Sequence, residues 1–382
     1  MTRIYLVRHA EAEGNLYRRI HGWYDSLITD NGYRQIAALA HRFEGIAVDA
    51  VYSSDLFRTR TTAGAICKPK GLALTTRKGL REIHLGDWED RTWGEAARLD
   101  PAELDRFNRN DPEFRARGGE SFQELRKRTT ASVRQLVRNH PGQTVAVVSH
   151  GTAIRNLLAA FQNIPEADSA RLPHSDNTAV SLLEFDGDEV RVVFHDDASH
   201  LPEEISTFAR QRWWKQDSGS RADSNLWFRP LDMEREGEVY RRCRREAWLN
   251  IHGSPAHYEE EGFYQDALTQ WRYDRRAVTC AMLGDEPAGL LQLDLQRHAE
   301  KGIGYIPFVY MMPSRRRQGL GVQLLGQAVS VYRPLGRQYL RLRCAPDNLV
   351  AQRFYKRYGF YRVGSAEGTR VPLDLLEKYI GY

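Results

Sequence analysis

The 382-residue sequence predicts an α/β protein built as two units. Strand-like apolar runs alternate with amphipathic helical patterns from residue 1 to about 205, and the length exceeds what one ordinary core fills. A polar stretch containing Gly and Ser then precedes a fresh apolar run, and the two halves share no internal repeat. The expected organisation is a first domain over 1–207, a linker over 208–224 and a second domain over 225–382.

The first apolar run, Ile4, Tyr5, Leu6 and Val7, is unbroken, which suits a central parallel strand buried on both faces. It leads directly into Arg8 and His9, two groups that resist burial. Open α/β sheets place ligands at the carboxyl ends of their strands, so a functional pair there has a physical reason. Ala50–Ser53 and Thr144–Ser149 read as further strands, whereas TDNGYRQIAALAHRF and ESFQELRKRTTASVRQLVRNH read as amphipathic helices. That alternation implies βαβ units and a mainly parallel sheet. Near Arg210 the pattern lapses into RQRWWKQDSGSRADSN, and LWFRPL opens the second unit, which runs to Tyr382.

With 41% hydrophobic and 27% charged residues the chain falls among soluble globular proteins. No apolar run approaches the roughly 20 residues of a membrane helix, and no signal peptide fits the N-terminus, so the expected compartment is the cytoplasm and no membrane partner is expected. Cys67, Cys243, Cys280 and Cys344 lie far apart without metal spacing and are expected to be reduced and structural. A formal charge of +5 suits anionic ligands. The arginines are interspersed with acids and carry no nucleic-acid fold signature, so nucleic acid is not an expected partner.

Three strand ends supply a first site. Arg8-His9 follows the first strand, a loop carrying Arg58 follows the second in VYSSDLFRTRTTA, and His150-Gly151 follows the third in VAVVSHG. Guanidiniums bind phosphate oxygens bidentately, and an imidazole can be phosphorylated, splitting one hard displacement into two easier ones. Arg8, Arg58 and His150 would neutralise the transferring group. Glu82, in LREIHLGDWED, is the candidate acid, expected to be held among apolar neighbours that keep its proton near neutral pH.

RHAEAEGN, HGWYDSLITDNG, SSDLFRTRTTA, LREIHLGDWE and VSHG together resemble the histidine phosphatase superfamily, also called phosphoglycerate mutase-like, over residues 1 to about 205. The resemblance implies a three-layer α/β/α domain and a small-molecule phosphate ester as substrate, with no metal. It further implies His9 as phosphorylated nucleophile, Arg8, Arg58 and His150 in the phosphate pocket, and Glu82 as proton donor. Asn15, His21 and Gly22 are implied as substrate contacts. Ala10 and Ala12 stand where the family usually has Gly and Thr. The short segment from Glu82 to His150 looks like the broad-specificity phosphatase branch.

The second unit carries GYIPFVYMMPSRRRQGLGVQLLGQAV, a strand, a basic glycine-containing turn and a helix. Backbone N–H groups and the helix dipole converge there on one spot, ready for a pyrophosphate. With LRLRCAPDNLVAQRFYKRYGF, this resembles the GCN5-related N-acetyltransferases, matching at Arg316, Gly319 and Gly321 and at Asn348, Ala351, Phe354, Tyr355, Gly359 and Phe360. The likeness implies an α+β domain with a mixed sheet, acetyl-CoA as co-substrate and an amine as acceptor. The pyrophosphate would meet the backbone from Arg316 through Arg317, Gln318, Gly319 and Leu320 to Gly321, near Asn348. The pantetheine would lie like an added strand beside Val309 to Met311. Tyr355 would protonate the leaving thiolate. The strand from Tyr305 to Met311 has no glutamate to act as base, Pro307 marks a bulge or an edge there, and Glu300 or a water chain is the alternative base.

The resulting expectation is a bifunctional enzyme, a phosphohistidine phosphatase joined to an acetyltransferase. Two other readings stay open: a mutase that returns phosphate to its substrate, and a phosphatase regulated by a non-catalytic acyl-CoA-binding domain. Assembly into a homodimer is also left open.

Overall fold

A computed structural model describes residues 1–211, 225–369 and 371–382; the expected linker residues 212–224 lie outside the described part. The chain divides into two compact units.

The first unit is a six-stranded sheet ordered β3-β2-β4-β1-β5-β6. Its strands are β1 (Thr2–Arg8), β2 (Ala50–Ser53), β3 (Leu74–Thr76), β4 (Thr144–Ser149), β5 (Val180–Asp186) and β6 (Glu189–Asp197). Its helices are α1 (Glu13–Tyr17), α2 (Asp30–Arg42), α3 (Phe57–Lys70), α4 (Trp93–Leu99), α5 (Pro101–Arg109), α6 (Phe122–Asn139), α7 (Gly151–Phe161) and α8 (Thr207–Arg210). Pairings β1 with β4, β4 with β2 and β2 with β3 are parallel, while β5 and β6 add an antiparallel edge. In the register, Arg8 faces Ser149, so β1 and β4 end side by side.

Alternation along the central strands builds two cores. Ile4 and Leu6 of β1 and Val145 and Val147 of β4 pack on α6 and α7 through Val133, Leu136, Ile154 and Leu157. Val7, Ala146 and Val148 turn to the other face, against Leu39, Phe43, Ala63 and Ile66 of α2 and α3 and the chain beside them. The helices therefore flank the sheet on both sides, the predicted three-layer arrangement. Local signals start two of them: Thr29 accepts from the Gly32 N–H at the start of α2, and Ser121 and Glu124 form a reciprocal cap on α6. Residues 208–210, read from the sequence as linker, instead lie in α8 on the first unit, and Gln211 follows it. There the Gln211 amide donates to the Asn15 carbonyl at 3.1 Å.

The second unit is a seven-stranded sheet ordered β12-β13-β11-β10-β9-β8-β7. Its strands are β7 (Trp227–Pro230), β8 (Val278–Leu283), β9 (Glu286–Asp294), β10 (Ile303–Met311), β11 (Tyr339–Cys344), β12 (Tyr361–Ala366) and β13 (Leu373–Tyr379). Its helices are α9 (Gly237–His252), α10 (Glu260–Tyr273), α11 (Gly321–Tyr332) and α12 (Leu349–Arg357). Only β10 and β11 are parallel, so the sheet is mixed. Tyr240 and Cys243 of α9, Ala267, Leu268 and Trp271 of α10, and Phe308 and Tyr310 of β10 share one core. Across the sheet, the Tyr332 hydroxyl of α11 donates to the Asp294 carbonyl at 3.0 Å, and a Cβ on Gly304 would come within 2.4 Å of the Tyr332 ring.

No helix among the described residues is long and apolar enough to cross a membrane. All four cysteines are buried and unbridged.

Candidate active sites of the two units

In the first unit the ends of β1 and β4 deliver His9 and His150, whose rings lie 5.3 Å apart edge to face. The His9 backbone N–H donates to the Ser149 carbonyl at 3.0 Å, and its Nδ1 lies 2.8 Å from the Ala10 carbonyl. That contact makes Nδ1 the protonated nitrogen and leaves the Nε2 lone pair available. Burial holds the His9 pKa well below its ordinary value, and the nearby Arg58 and Arg8 push it down further. His150 is depressed likewise, first by burial and then by Arg58 and His9.

The cations come from two different elements. Arg8 ends β1 and donates to the Ser175 carbonyl. Arg58 is not carried by a loop, as the sequence suggested: it is the second residue of α3, fully buried. Its guanidinium donates to the Gly22 carbonyl at 2.7 Å and the Tyr24 carbonyl at 3.0 Å, with Asp25 3.9 Å away. Gly22, expected at the substrate, thus spends its carbonyl on Arg58. His21 lies 3.1 Å from the Ser26 hydroxyl, and a Cβ on Gly14 would reach within 1.8 Å of its Nε2, so that glycine admits the ring. Asn15 uses its amide oxygen to cap the Ala12 N–H at 3.1 Å, which leaves its NH₂ free to donate. Ala12 itself is the residue before α1 and makes no side-chain cap there.

Among the buried donors of this cluster without a protein partner are Arg8 Nε and His150 Nδ1. The Ser54 hydroxyl sits 2.8 Å from His150 Nε2; when it donates there, Nδ1 carries the hydrogen. An anion placed among these groups completes both.

Glu82 departs from its expected surroundings. Leu80, Ile83 and Leu85 are buried around it, yet the carboxylate turns to polar groups, accepting from the N–H of Ile83 at 3.0 Å, Thr152 at 3.0 Å and Ala153 at 2.8 Å. The last two belong to the first turn of α7, the helix that begins just after His150. The Glu82 carbonyl in turn accepts from the Trp23 indole at 2.7 Å and from Arg128 at 2.6 Å. Sequence reasoning missed Ser54, Trp23, Arg128 and Asn177; the Asn177 amide donates to the His9 carbonyl at 2.9 Å. PHSDNTAV, which holds Asn177, reads only as a turn before a strand.

In the second unit β10 pairs with β11 only from Ile303 to Ile306, and its register against β9 shifts between Tyr305 and Phe308. Pro307 therefore marks a bulge in a central strand rather than an edge. From Pro307 to Met311, including Val309, the side of β10 toward β11 is left unpaired. Past Met311 the chain turns through Arg316, Arg317 (φ +62°), Gln318, Gly319 (φ +78°) and Leu320 into α11, which has no side-chain cap. The Arg316 side chain does not point into this loop as a free cation; it donates to the Met311 carbonyl at 3.0 Å and to Glu246 at 2.7 Å. The loop thus offers backbone N–H groups at an uncapped helix start. Gly321 has another reason to be glycine: a Cβ there would meet the Phe354 ring at 3.2 Å. Asn348 caps α12 through the Ala351 N–H at 3.2 Å. Tyr355 packs on Phe354 and Phe360, and burial pushes its hydroxyl pKa up.

Comparison with known proteins agrees with both halves. Residues 4–198 match the histidine phosphatase superfamily (branch 1), and residues 241–360 match the acetyltransferase (GNAT) family. The chain is 35% identical over 207 residues to phosphoglycerate mutase-like protein 4 of Arabidopsis thaliana, covering 53% of this chain and 88% of that protein. It is 31% identical over 185 residues to the probable phosphoglycerate mutase GpmB of Salmonella choleraesuis, covering 48% and 86%. The solved structure of Bacillus stearothermophilus YhfR superposes with a TM-score of 0.51 at 34% identity, over 52% of this chain and 99% of that one. The chain belongs to the histidine phosphatase superfamily, branch 1, and carries a GNAT acetyltransferase domain in its second unit.

Proposed function

We propose that the chain is a bifunctional enzyme: it hydrolyses a small phosphate monoester through a phosphohistidine on His9, and it transfers an acetyl group from acetyl-CoA to an amine. The observation that carries the first activity is the pair of buried, unpartnered donors, Arg8 Nε and His150 Nδ1, beside a neutral His9. A phosphoryl group satisfies both. His9 Nε2 attacks phosphorus, the N–P bond forms as the ester P–O bond breaks, and the departing alkoxide takes a proton from Glu82. Water then attacks the phosphohistidine and gives its proton to Glu82, so that inorganic phosphate leaves and His9 is restored. Arg8, Arg58 and His150 meet the moving charge without rearranging, because protein groups already hold them. Asn15 and His21 contact the substrate from the segment that follows β1.

For the second activity, acetyl-CoA supplies the acetyl group when bound. The residues fit it: the unpaired side of β10 at Val309 to Met311 suits the pantetheine, and the backbone from Arg316 to Gly321 at the uncapped start of α11 suits the pyrophosphate. Tyr355, protonated over the whole working range, can hand a proton to a leaving thiolate. Residues 305–311 contain no carboxylate to serve as base.

The curated relatives carry mutase names, and a mutase would use the same pocket to return phosphate to its substrate. The deciding experiment follows free phosphate, free thiol and product mass over a set of phosphorylated and aminated metabolites, with and without acetyl-CoA. Stoichiometric phosphate release without a bisphosphate primer supports hydrolysis; phosphate retained on a rearranged substrate supports the mutase. Thiol release that depends on an amine supports acetyl transfer.

A further inference from the structure

We propose that the acetyl acceptor is an amine that also carries an oxyanion, carboxylate or phosphate, and that Arg244 and the hydroxyl of Tyr258 hold this group. The proposal rests on the acetyltransferase reading and specifies the class of its acceptor. Three carboxylates near Arg244 are committed to other arginines, Glu246 to Arg316 at 2.7 Å, Glu260 to Arg245 at 2.6 Å and Glu261 to Arg241 at 2.8 Å, while the exposed Asp266 acts on Arg244 only from beyond ion-pair contact. Arg244 makes no ion pair among the described residues. Its one hydrogen bond is a long one, 3.4 Å, to the Pro307 carbonyl.

The guanidinium is nevertheless held firmly. It lies over the ring of Phe263 at 4.2 Å and over that of Phe308 at 4.5 Å, so its plane is fixed while its remaining N–H groups stay unspent. A half-buried cation without a contact counter-ion carries a desolvation cost, which an incoming anion offsets. Tyr258 supplies the second, independent observation: its hydroxyl is buried and has no partner. Both groups pack on one ring, Arg244 over Phe263 and Tyr258 stacked 5.7 Å from it, so they belong to one site. Pro307 is the bulge residue at which β10 parts from β11, which sets this anion site beside the stretch proposed for the pantetheine. An amine a few bonds from the oxyanion would then stand near the acetyl group.

The test is calorimetry on the full chain with four probes: glycine and glycinamide for the carboxylate arm, 2-aminoethylphosphonate and ethanolamine for the phosphate arm. The expected result is that at least one anionic amine binds at least about 10-fold tighter than its uncharged partner. Arg244→Gln should weaken that binding by about 10- to 100-fold, as for a lost hydrogen bond to a charged group. Tyr258→Phe should weaken it less, and Arg244→Lys should restore part of it. The uncharged amines should not distinguish the variants. Because Arg244→Gln is compared with the wild type, phosphonate bound in the first unit cancels. Tyr258→Phe removes one oxygen and carries the test if Arg244→Gln does not fold. The proposal is overturned if no anionic amine outbinds its uncharged partner, or if Arg244→Gln and Tyr258→Phe both leave binding unchanged. Thiol release from acetyl-CoA with the same amines tests the underlying reading separately. Oxyanion binding lost in Arg244→Gln without any thiol release in the wild type keeps the site and removes the acetyltransferase. Equal turnover of charged and uncharged amines, unaltered in Arg244→Gln, does the reverse.

Discussion

Glu82→Gln tests whether this carboxylate is a proton donor or only a helix cap. One oxygen accepts from Ile83 at 3.0 Å and Ala153 at 2.8 Å, the other from Thr152 at 3.0 Å. Glutamine can keep the first pair but then points its NH₂ at the Thr152 N–H, donor against donor. An unsatisfied buried donor costs about 1–3 kcal/mol. In a unit of this size each kcal/mol lowers the melting midpoint by about 2–4 °C, so a drop of roughly 2–12 °C is expected. Loss of a general acid should independently slow turnover by about 10²–10⁴. The two effects separate through the leaving group: an alkyl phosphate needs protonation as its bond breaks, and nitrophenyl phosphate scarcely does. Steady-state kcat/KM for both esters, measured below the variant's melting range, should show the full deficit for the alkyl ester and a much smaller one for the nitrophenyl ester. Equal deficits would refute the acid role, leaving Glu82 as the cap on α7 that keeps His150 in place.

His9→Ala should abolish phosphate release while the melting curve stays close to wild type, and acid-labile, base-stable phosphate should be trapped on His9 during wild-type turnover; a near-normal rate in the variant would remove His9 as nucleophile. Gly319→Val should weaken acetyl-CoA binding by straining a residue at φ +78°, and Gly321→Leu should do so by displacing Phe354 and with it α12. Calorimetry that finds both affinities unchanged would sink this cofactor site. Stability should fall with acidity. His9 and His150 are held below their ordinary pKa and His200 is lowered to about 4, first by burial, so the unfolded chain binds more protons than the fold once pH drops below the ordinary histidine range. The melting midpoint of the first unit should therefore decline from about pH 6.5 toward the folded-state values, and a midpoint flat across that window would contradict neutral, buried histidines.

The parts of this protein legible in its sequence are those whose residues carry their own reason. β1 and β4 are unbroken apolar runs, and α2 and α6 carry caps three residues long. β3 is three residues and mostly exposed, so no pattern marks it. α3 has no apolar stripe: Arg58, Thr59 and Thr62 are buried beside Ala63 and Ile66, which is why the sequence suggested a loop at Arg58. Glu82 was misplaced because its sequence neighbours are apolar, whereas its partners at 152 and 153 are seventy positions away and are backbone groups, which no side-chain pattern records. Arg244 stands inside RRCRREAW, where charge alone cannot separate a paired arginine from a bare one.

That distinction orders the arginines of both units. Arg81 is matched to Asp55 and Arg229 to Glu236 in two-pronged ion pairs, all four at least partly exposed. Such pairs cancel their own charge. Arg8, Arg58 and Arg244 are held differently: each donates to backbone carbonyls, of Ser175, of Gly22 and Tyr24, and of Pro307. A carbonyl fixes a guanidinium in place but leaves most of its positive charge uncancelled. Among the described residues Arg8 and Arg244 form no contact ion pair, and Asp25 stands 3.9 Å from Arg58. A fold selected for stability alone would have paired or removed them. Holding them with carbonyls is the arrangement that keeps charge for an anion that arrives and leaves, on the proposed functions a phosphoryl group in the first unit and the acceptor's oxyanion in the second.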